Sequence, residues 1–421
     1  MIRRALSMMI LALALPGVAL AAHRPAPPGS ADDELVRMGR TIPGFGGMFY
    51  DAEGYPNVYL RDPRAPASRA ALKSLGRGEV RVLRGDYEFA DLVEWKETLV
   101  QVLLGQPGVV YLDADEARNR VIVGIDAAQS KSLDTGLLDK TLALAGVPRA
   151  AVLYQEVPAI HDLVGTAVAT AKKPGASSSI LSSIRPAPGG VQITFLDPPL
   201  AYGCTLGFNA YLGDAFGFVT NSHCTRSRGV VDGTPYAQGS DIFGPTIATE
   251  IADPEYFTGG DCPSGLQCRY SDSSFAQYNG SSTSLGSFRQ LARTSSRGAL
   301  AGSTTLKPAS SRFTINATAS ALEGQTVNKI GVTSGWTYGP ITATCVTLGV
   351  TGTTYGMLCQ NIVRAGSDHG DSGSPVFSWT SGNNVKLLGI LWGGGTLNGV
   401  QVFVYSPLEN IEQELGTLRV R

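Results

Sequence analysis

Charge in excess of either sign is missing from this 421-residue chain: 34 Lys+Arg stand against 35 Asp+Glu, for a formal net charge of −1. That balance offers no electrostatic footprint for nucleic acid or an anionic membrane surface, and neither is expected as a partner. Beyond Met8 to Leu15 there is no second long apolar run, so no membrane anchor is expected. That one run follows Arg3-Arg4 and precedes Ala19-Leu20-Ala21, the pattern of a secretory signal over residues 1–21. Cysteine is absent from the first 203 residues. All six (Cys204, Cys224, Cys262, Cys268, Cys345 and Cys359) lie beyond them, without a Cys-x-x-Cys pair. An even number in an exported chain argues for disulfides rather than zinc, and no metal or cofactor is called for. The expected location is periplasmic or extracellular.

What is present divides the chain. Residues 22–161 read as an α+β N-terminal domain built on a weak repeat. Hairpins at Phe49–Leu60 and Val110–Val123 each lead to a helix (Ala65–Leu75, Ser132–Leu144) and a strand (Val80–Leu83, Ala151–Tyr154). A further helix, Phe89–Leu104, joins the two units, which predicts one small sheet with helices on one side. On the last helix Leu133, Leu137 and Leu144 share a face that Leu138 and Leu142 widen. Residues 162–189 are rich in Ala, Ser, Lys and Pro and read as a linker and processing region. From residue 190 to 421 Gly, Ser and Thr dominate, the composition of many short strands. Val191–Phe195 alternates strictly, Cys204–Tyr211 and Ala215–Thr220 follow, and Val385–Trp392 and Val400–Tyr405 are the last strands. Ser406-Pro407-Leu408-Glu409 reads as a capping box with Pro at the first helical position, opening a helix Leu408–Leu415 that Gly416 stops.

Three segments carry chemistry: Thr220-Asn221-Ser222-His223-Cys224, Arg269 to Phe275 around Asp272, and Gly370-Asp371-Ser372-Gly373-Ser374-Pro375. A serine hydroxyl is a poor nucleophile at neutral pH. It needs an imidazole to take its proton and a buried carboxylate to fix the imidazole tautomer. Asp232, Asp241, Asp253 and Asp261 also lie between His223 and Ser372. Asp272 is preferred because the alternating Ser274-Phe275-Ala276-Gln277-Tyr278 follows it.

In these motifs and their order the chain resembles the chymotrypsin-like (trypsin-family) serine proteases of the secreted bacterial type, over roughly residues 190–415. The resemblance implies an all-β two-barrel domain with a C-terminal helix, here preceded by the α+β domain, and a triad in the cleft between barrels. It implies Ser372 as nucleophile, His223 as general base and then acid, Asp272 as orienter, and the N–H groups of Gly370 and Ser372 as the oxyanion hole. Ser374 and Asn221-Ser222 depart from the commonest pattern. The resemblance selects a Cys204–Cys224 disulfide; Cys262–Cys268 then closes a small loop and Cys345–Cys359 staples a hairpin. It places the substrate pocket at Gly366, Ser367, Leu391, Trp392 and Gly393, with Phe403 at a wall. No acid stands at Gly366, and Ile390 stands where glutamate-preferring members carry His, so cleavage after apolar or small residues is expected. Asp368 and His369 flank the site. Asp371 needs a buried cation, for which an α-amino group near residue 190 and Arg364 are the candidates.

The resulting reading is a monomeric secreted serine endopeptidase acting on protein or peptide substrates through an acyl-enzyme. Its N-terminal domain is similar in layout to the pro-regions of such proteases, which are folding chaperones and inhibitors. Residues 22 to about 188 are then a removable pro-region, cut between about Ala171 and Gly190. The alternative is a catalytically inactive protease-fold binding module with a permanent N-terminal recognition domain. An α/β-hydrolase esterase is set aside because Ser374, not Gly, stands two after Ser372.

Overall fold

The computed structural model describes residues 29–74, 80–132, 135–165, 179–238, 245–280, 282–308 and 311–421. The signal reading of 1–21, Leu133, the middle of the linker and Asp241 lie outside the described residues.

The N-terminal region opens with the helix Ala31–Thr41, whose N-cap Ser30 accepts a hydrogen bond from the Asp33 N–H and whose first turn carries Asp32, Asp33 and Glu34 against the helix dipole. Phe45–Tyr50 and Pro56–Leu60 form the first hairpin, and Arg81–Arg84 joins it in parallel as a three-stranded sheet. Val109–Asp115 and Arg120–Asp126 form the second, with Val152–Val157 in parallel beside it. Helices Pro66–Ser74 and Thr135–Leu144 fill the crossovers and Phe89–Leu103 joins the units.

Two sequence expectations change here. The six strands do not make one sheet. The free edge of Val109–Asp115 pairs instead with the long strand Gly335–Gly349, setting Leu112 opposite Thr347, so the second unit continues a sheet of the C-terminal region. An unpaired edge must find hydrogen-bond partners, and this is where it finds them. The helix Thr135–Leu144 buries Leu138 and Leu142, one i, i+4 row, and leaves Leu137 and Leu144 exposed. Its inward face is the row expected only to widen the core.

Flanks of the 162–189 stretch are ordered into the fold. Ile180 and Ile184 are buried, and Ala187–Gly189 pairs in parallel with Gly286–Ala292. The C-terminal region is all-β in two sheet systems. The first, of eight strands, runs from Leu200–Thr205 and Gln192–Asp197 through Ser274–Tyr278 and then Ala215–Thr220, and ends with Leu418–Arg419 on Phe208–Leu212. Ile193, Phe208, Phe218, Tyr236 and Phe275 fill its core. The second is built on Thr326–Gly331, Gly335–Gly349, Tyr355–Val363, Pro375–Ser381, Asn384–Leu397 and Val400–Pro407. The all-β region therefore stands behind an α+β region and ends in the expected helix, Leu408–Leu415, stopped by Gly416 at φ 91°.

The capping box does not form. Pro407 is the N-cap, extended at φ −60° and ψ 152°, without a side-chain capping bond. The Ser406 hydroxyl turns inward and donates to Gln360 Oε1 at 2.8 Å. The three expected disulfides, Cys204–Cys224, Cys262–Cys268 and Cys345–Cys359, are all present. Among the described residues no helix is long and apolar enough to cross a membrane.

Candidate active site

Strand pairing brings the first two residues together. Ala215–Thr220 pairs antiparallel with Ser274–Tyr278, Thr220 opposite Ser274. His223, in the single turn Ser222–Cys224 after the first strand, therefore meets Asp272, just before the second. The Cys204–Cys224 disulfide and the Tyr236 hydroxyl, which donates to Cys224 O at 3.0 Å, hold that turn. His223 Nδ1 bonds Asp272 Oδ2, and the His223 backbone N–H donates to Oδ1 at 3.2 Å. A carboxylate only accepts, so Nδ1 carries the proton and Nε2 is left as an acceptor. Ser372 Oγ lies 2.7 Å from Nε2.

Ser372 comes from the second sheet, in the turn before Pro375–Ser381. Its carbonyl accepts the Thr205 N–H at 2.7 Å, which ties it to the first sheet. Gly373 at φ +88° is required there, since a Cβ would lie 2.1 Å from the Thr205 carbonyl oxygen.

Burial alone would raise the Asp272 carboxyl. The His223 imidazole and the Arg228 guanidinium overcome it and hold the group well below the usual carboxylate range. Asp272 N–H donates to Ser406 Oγ at 3.1 Å, which is where the missing capping hydroxyl is used. Glu414 of the terminal helix accepts from Tyr270 N at 2.6 Å and Ser271 N at 3.1 Å, and pairs with the buried Arg269 at 3.2 Å. Arg269 also pairs with Asp253 at 2.8 Å. The rival Asp253 is thus engaged elsewhere, Asp261 accepts from the Tyr270 hydroxyl at 2.6 Å, and Asp232 pairs with the Thr234 hydroxyl.

The departures from the common motif are used. Asn221 Nδ2 donates to Asp272 O at 2.7 Å, Ser222 Oγ to Asp253 Oδ2 at 2.8 Å, and Ser374 Oγ to Asp371 O at 2.5 Å. The cation for Asp371 is neither an α-amino group nor Arg364. It is Lys329, fully buried, with Nζ 2.6 Å from Oδ2. Burial lowers the Lys329 ammonium, and Asp371 pulls it back up. Lys329, Arg228, Arg269 and Glu414 carry no local motif. Only the proximity of Arg269 to Asp272 in sequence gave a signal.

The cleft is occupied by the chain itself. His161 and Asp162 pair antiparallel with Gly394 and Gly393. Leu163 N–H donates to Trp392 O at 3.2 Å, and Leu163 O accepts the Gly370 N–H at 2.7 Å. Gly203 N–H reaches Gly165 O at 3.4 Å on the far side. Gly370 sits at φ +100°, where a Cβ would lie 2.7 Å from Thr333 Oγ1. The Leu163 side chain is buried with Val363, Ala365, Leu391 and Phe403. Gly394 leaves room for it, since a Cβ there would stand 3.3 Å from Leu163 Cδ1 and 3.0 Å from Ser367 Oγ. Gly366 packs against the Leu300 carbonyl, and its N–H donates to Ala299 O at 2.8 Å. Trp392 is buried and donates Nε1–H to Gln360 at 2.9 Å. Asp368 is exposed; its carboxylate accepts the His369 N–H at 2.7 Å, and His369 Nδ1 lies 2.9 Å from Val164 O. Asp162, His223 and Asp272 place ligand-type atoms within 4.8 Å of one another, but Arg228 already supplies the positive charge there, 2.6 Å from Asp162.

No family model matches the chain, and no curated protein matches it. Among solved structures, Protease A from Thermobifida fusca is 20% identical, over 55% of this chain and 97% of its own, with a TM-score of 0.38. A glutamic acid specific serine protease described as using a histidine triad in substrate binding is 22% identical, over 56% and 100%, with a TM-score of 0.39. Nocardiopsis protease is 21% identical, over 56% and 98%, with a TM-score of 0.38.

Proposed function

We propose that this chain is the precursor of a secreted serine endopeptidase of the chymotrypsin-like kind, and that its N-terminal part, residues 22–161, docks on the protease part and blocks it. The hydrogen-bonded run Ser372–His223–Asp272, with the Gly370 N–H donating to a carbonyl oxygen beside it, carries this reading. Ser372 Oγ attacks the carbonyl carbon, and its proton passes to His223 Nε2. Asp272 stabilises the imidazolium, and backbone N–H groups of Gly370 and Ser372 take the oxyanion. Collapse expels the amine, which takes the proton from His223. Water then hydrolyses the acyl-enzyme by the same route. The three disulfides agree with an oxidising, periplasmic or extracellular location.

The segment 160–165 supports an apolar P1 preference, P1 being the residue whose carbonyl is attacked. Leu163 fills the apolar pocket while its carbonyl faces Gly370. The first bond cut is then the chain's own Leu163–Val164, inside the 162–189 processing region though upstream of the Ala171–Gly190 window. Fluorophosphonate should label the processed wild-type protein and not Ser372→Ala, and N-terminal sequencing of the labelled band should begin at Val164. Equal labelling of both proteins would reject the nucleophile. A first new terminus between Ala171 and Gly190 would reject the cleavage site while leaving the protease.

A further inference from the structure

The segment in the cleft presents a second side chain besides Leu163. Asp162, directly before it, stands at the P2 position and makes an ion pair with Arg228, Nη2 to Oδ2, at 2.6 Å. The arginine side chain is 13% exposed and the aspartate 23%, so both are largely out of water, where a charge-assisted bond counts for more than on the surface. Apart from helping to keep Asp272 ionised, Arg228 has no part in the proteolytic chemistry just described.

Arg228 is held in place before any ligand arrives. Its guanidinium lies over the Tyr355 ring at 5.1 Å, and Tyr355 stacks on Tyr256 at 4.5 Å. The neighbouring Gly229 N–H is fixed by Ser222 Oγ at 2.9 Å and Asp253 Oδ2 at 3.0 Å. Gly229 sits at φ +70°, with Tyr256 where a Cβ would go. The titratable groups around the guanidinium are Asp162, Asp272 and the neutral Tyr256, and Asp272 is committed to His223. When residues 160–165 leave, the half-exposed side of the guanidinium faces the P2 side chain of whatever replaces them. The other Asp162 oxygen, Oδ1, is buried without a hydrogen-bond partner and lies 3.9 Å from His223 Nδ1. A P2 carboxylate therefore also sits where it favours the imidazolium formed during acylation.

We propose that Arg228 makes this protease selective for an acidic residue at P2, so that its preferred substrates carry Asp-Leu, like residues 162–163 of its own chain, before the cut bond. The inference rests on the protease reading. It selects aspartate over asparagine by charge, and rejects lysine by repulsion.

The test is a P2 series of chromogenic tetrapeptides, succinyl-Ala-Ala-X-Leu-p-nitroanilide with X as Asp, Asn, Ala or Lys, on the self-processed protein. The expected order in kcat/KM is Asp first and Lys last, with Asp over Asn by about 10- to 100-fold, the worth of a bond to a charged group. Arg228→Gln should reduce that ratio to within about threefold, and Arg228→Lys should keep part of it. In the intact chain, Asp162→Asn should slow cleavage at Leu163–Val164 by a similar factor. An Asp peptide turned over no faster than the Asn peptide overturns the proposal, even where the Arg228 variants fail to fold. So does an unchanged ratio in a folded Arg228→Gln. Hydrolysis of none of the peptides overturns the protease reading and the subsite with it, a result distinct from hydrolysis without preference.

Discussion

Lys329 and Asp371 give the sharpest test of how the turn that carries Ser372 is held. Both side chains are fully buried, and Nζ and Oδ2 are 2.6 Å apart. Asp371 keeps other partners: Oδ1 accepts Thr333 N at 2.9 Å and Ser334 N at 3.1 Å, and Oδ2 accepts Asp368 N at 3.1 Å. Lys329→Met removes the cation and leaves a buried carboxylate without a countercharge. Removing one partner of a buried pair costs about 3–5 kcal/mol. The three surviving N–H bonds put this case at the lower end, about 3 kcal/mol, or roughly two powers of ten in the unfolding constant. Removing both charges, Lys329→Met with Asp371→Asn, should cost less than the single change, because no charge is then left uncompensated. The assay is urea unfolding followed by tryptophan fluorescence in a Ser372→Ala background, which prevents self-digestion. A single variant within about 1 kcal/mol of its parent, or a double variant less stable than the single, would refute the reasoning.

Asp272→Asn should lower kcat/KM by about 10⁴-fold, as in the best-measured triad, and a loss under about tenfold would point to another acid. Glu116 is buried where the N-terminal region meets the C-terminal one, accepting from Thr344 Oγ1 at 3.0 Å, and burial raises it to about 8. The folded state then holds a proton that the unfolded state releases near 4.5, so this contribution is complete below about 4.5 and lost as pH rises through about 8. Burial also raises Asp113, Asp115 and Glu323 beside it. Urea stability of the Ser372→Ala chain should therefore fall from pH 5 to pH 9, and Glu116→Gln should flatten the fall. Residues 164–421 expressed alone should give little active enzyme, with activity restored by residues 22–163 as a separate chain; full activity without them would exclude a folding role.

How much could be read beforehand follows the range of the interactions. His223, Asp272 and Ser372 were legible because each sits in a local motif whose residue types the chemistry demands, and the structure brings them into one hydrogen-bonded run. The Cys204–Cys224 pair was legible through the family resemblance, and the other two then followed because each spans a short loop. Lys329 was not, since a lysine in the strand Thr326–Gly331 looks like an outward-facing residue until Asp371, 42 positions on, folds over it. The capping box failed for the reason in reverse. Its local pattern was sound, but Ser406 had stronger claims from Gln360 and Asp272, which only tertiary structure brings near.

The same distinction explains why the N-terminal region bears on the site at all. Gly335–Gly349 is fifteen residues long, and its pairing with Val109–Asp115 covers an edge that would otherwise expose unpaired backbone groups. Lys96, fully buried, closes the same seam by donating to Asp32 at 2.9 Å and to the Cys345 carbonyl at 3.0 Å. The strand so covered leads through the Cys345–Cys359 hairpin to Tyr355–Val363, whose Gln360 receives both Trp392 and Ser406. Ser406 in turn accepts from Asp272. An edge contributed by the N-terminal region is thus connected, by hydrogen bonds at each step, to the backbone of Asp272. Apart from those within the Cys345–Cys359 hairpin, these bonds join segments distant in sequence, the kind whose closure entropy is lost before any contact repays it. If the N-terminal region has the proposed folding role, docking its second hairpin on that edge would fix the first of them early, and the same chain places Asp162 and Leu163 in the cleft.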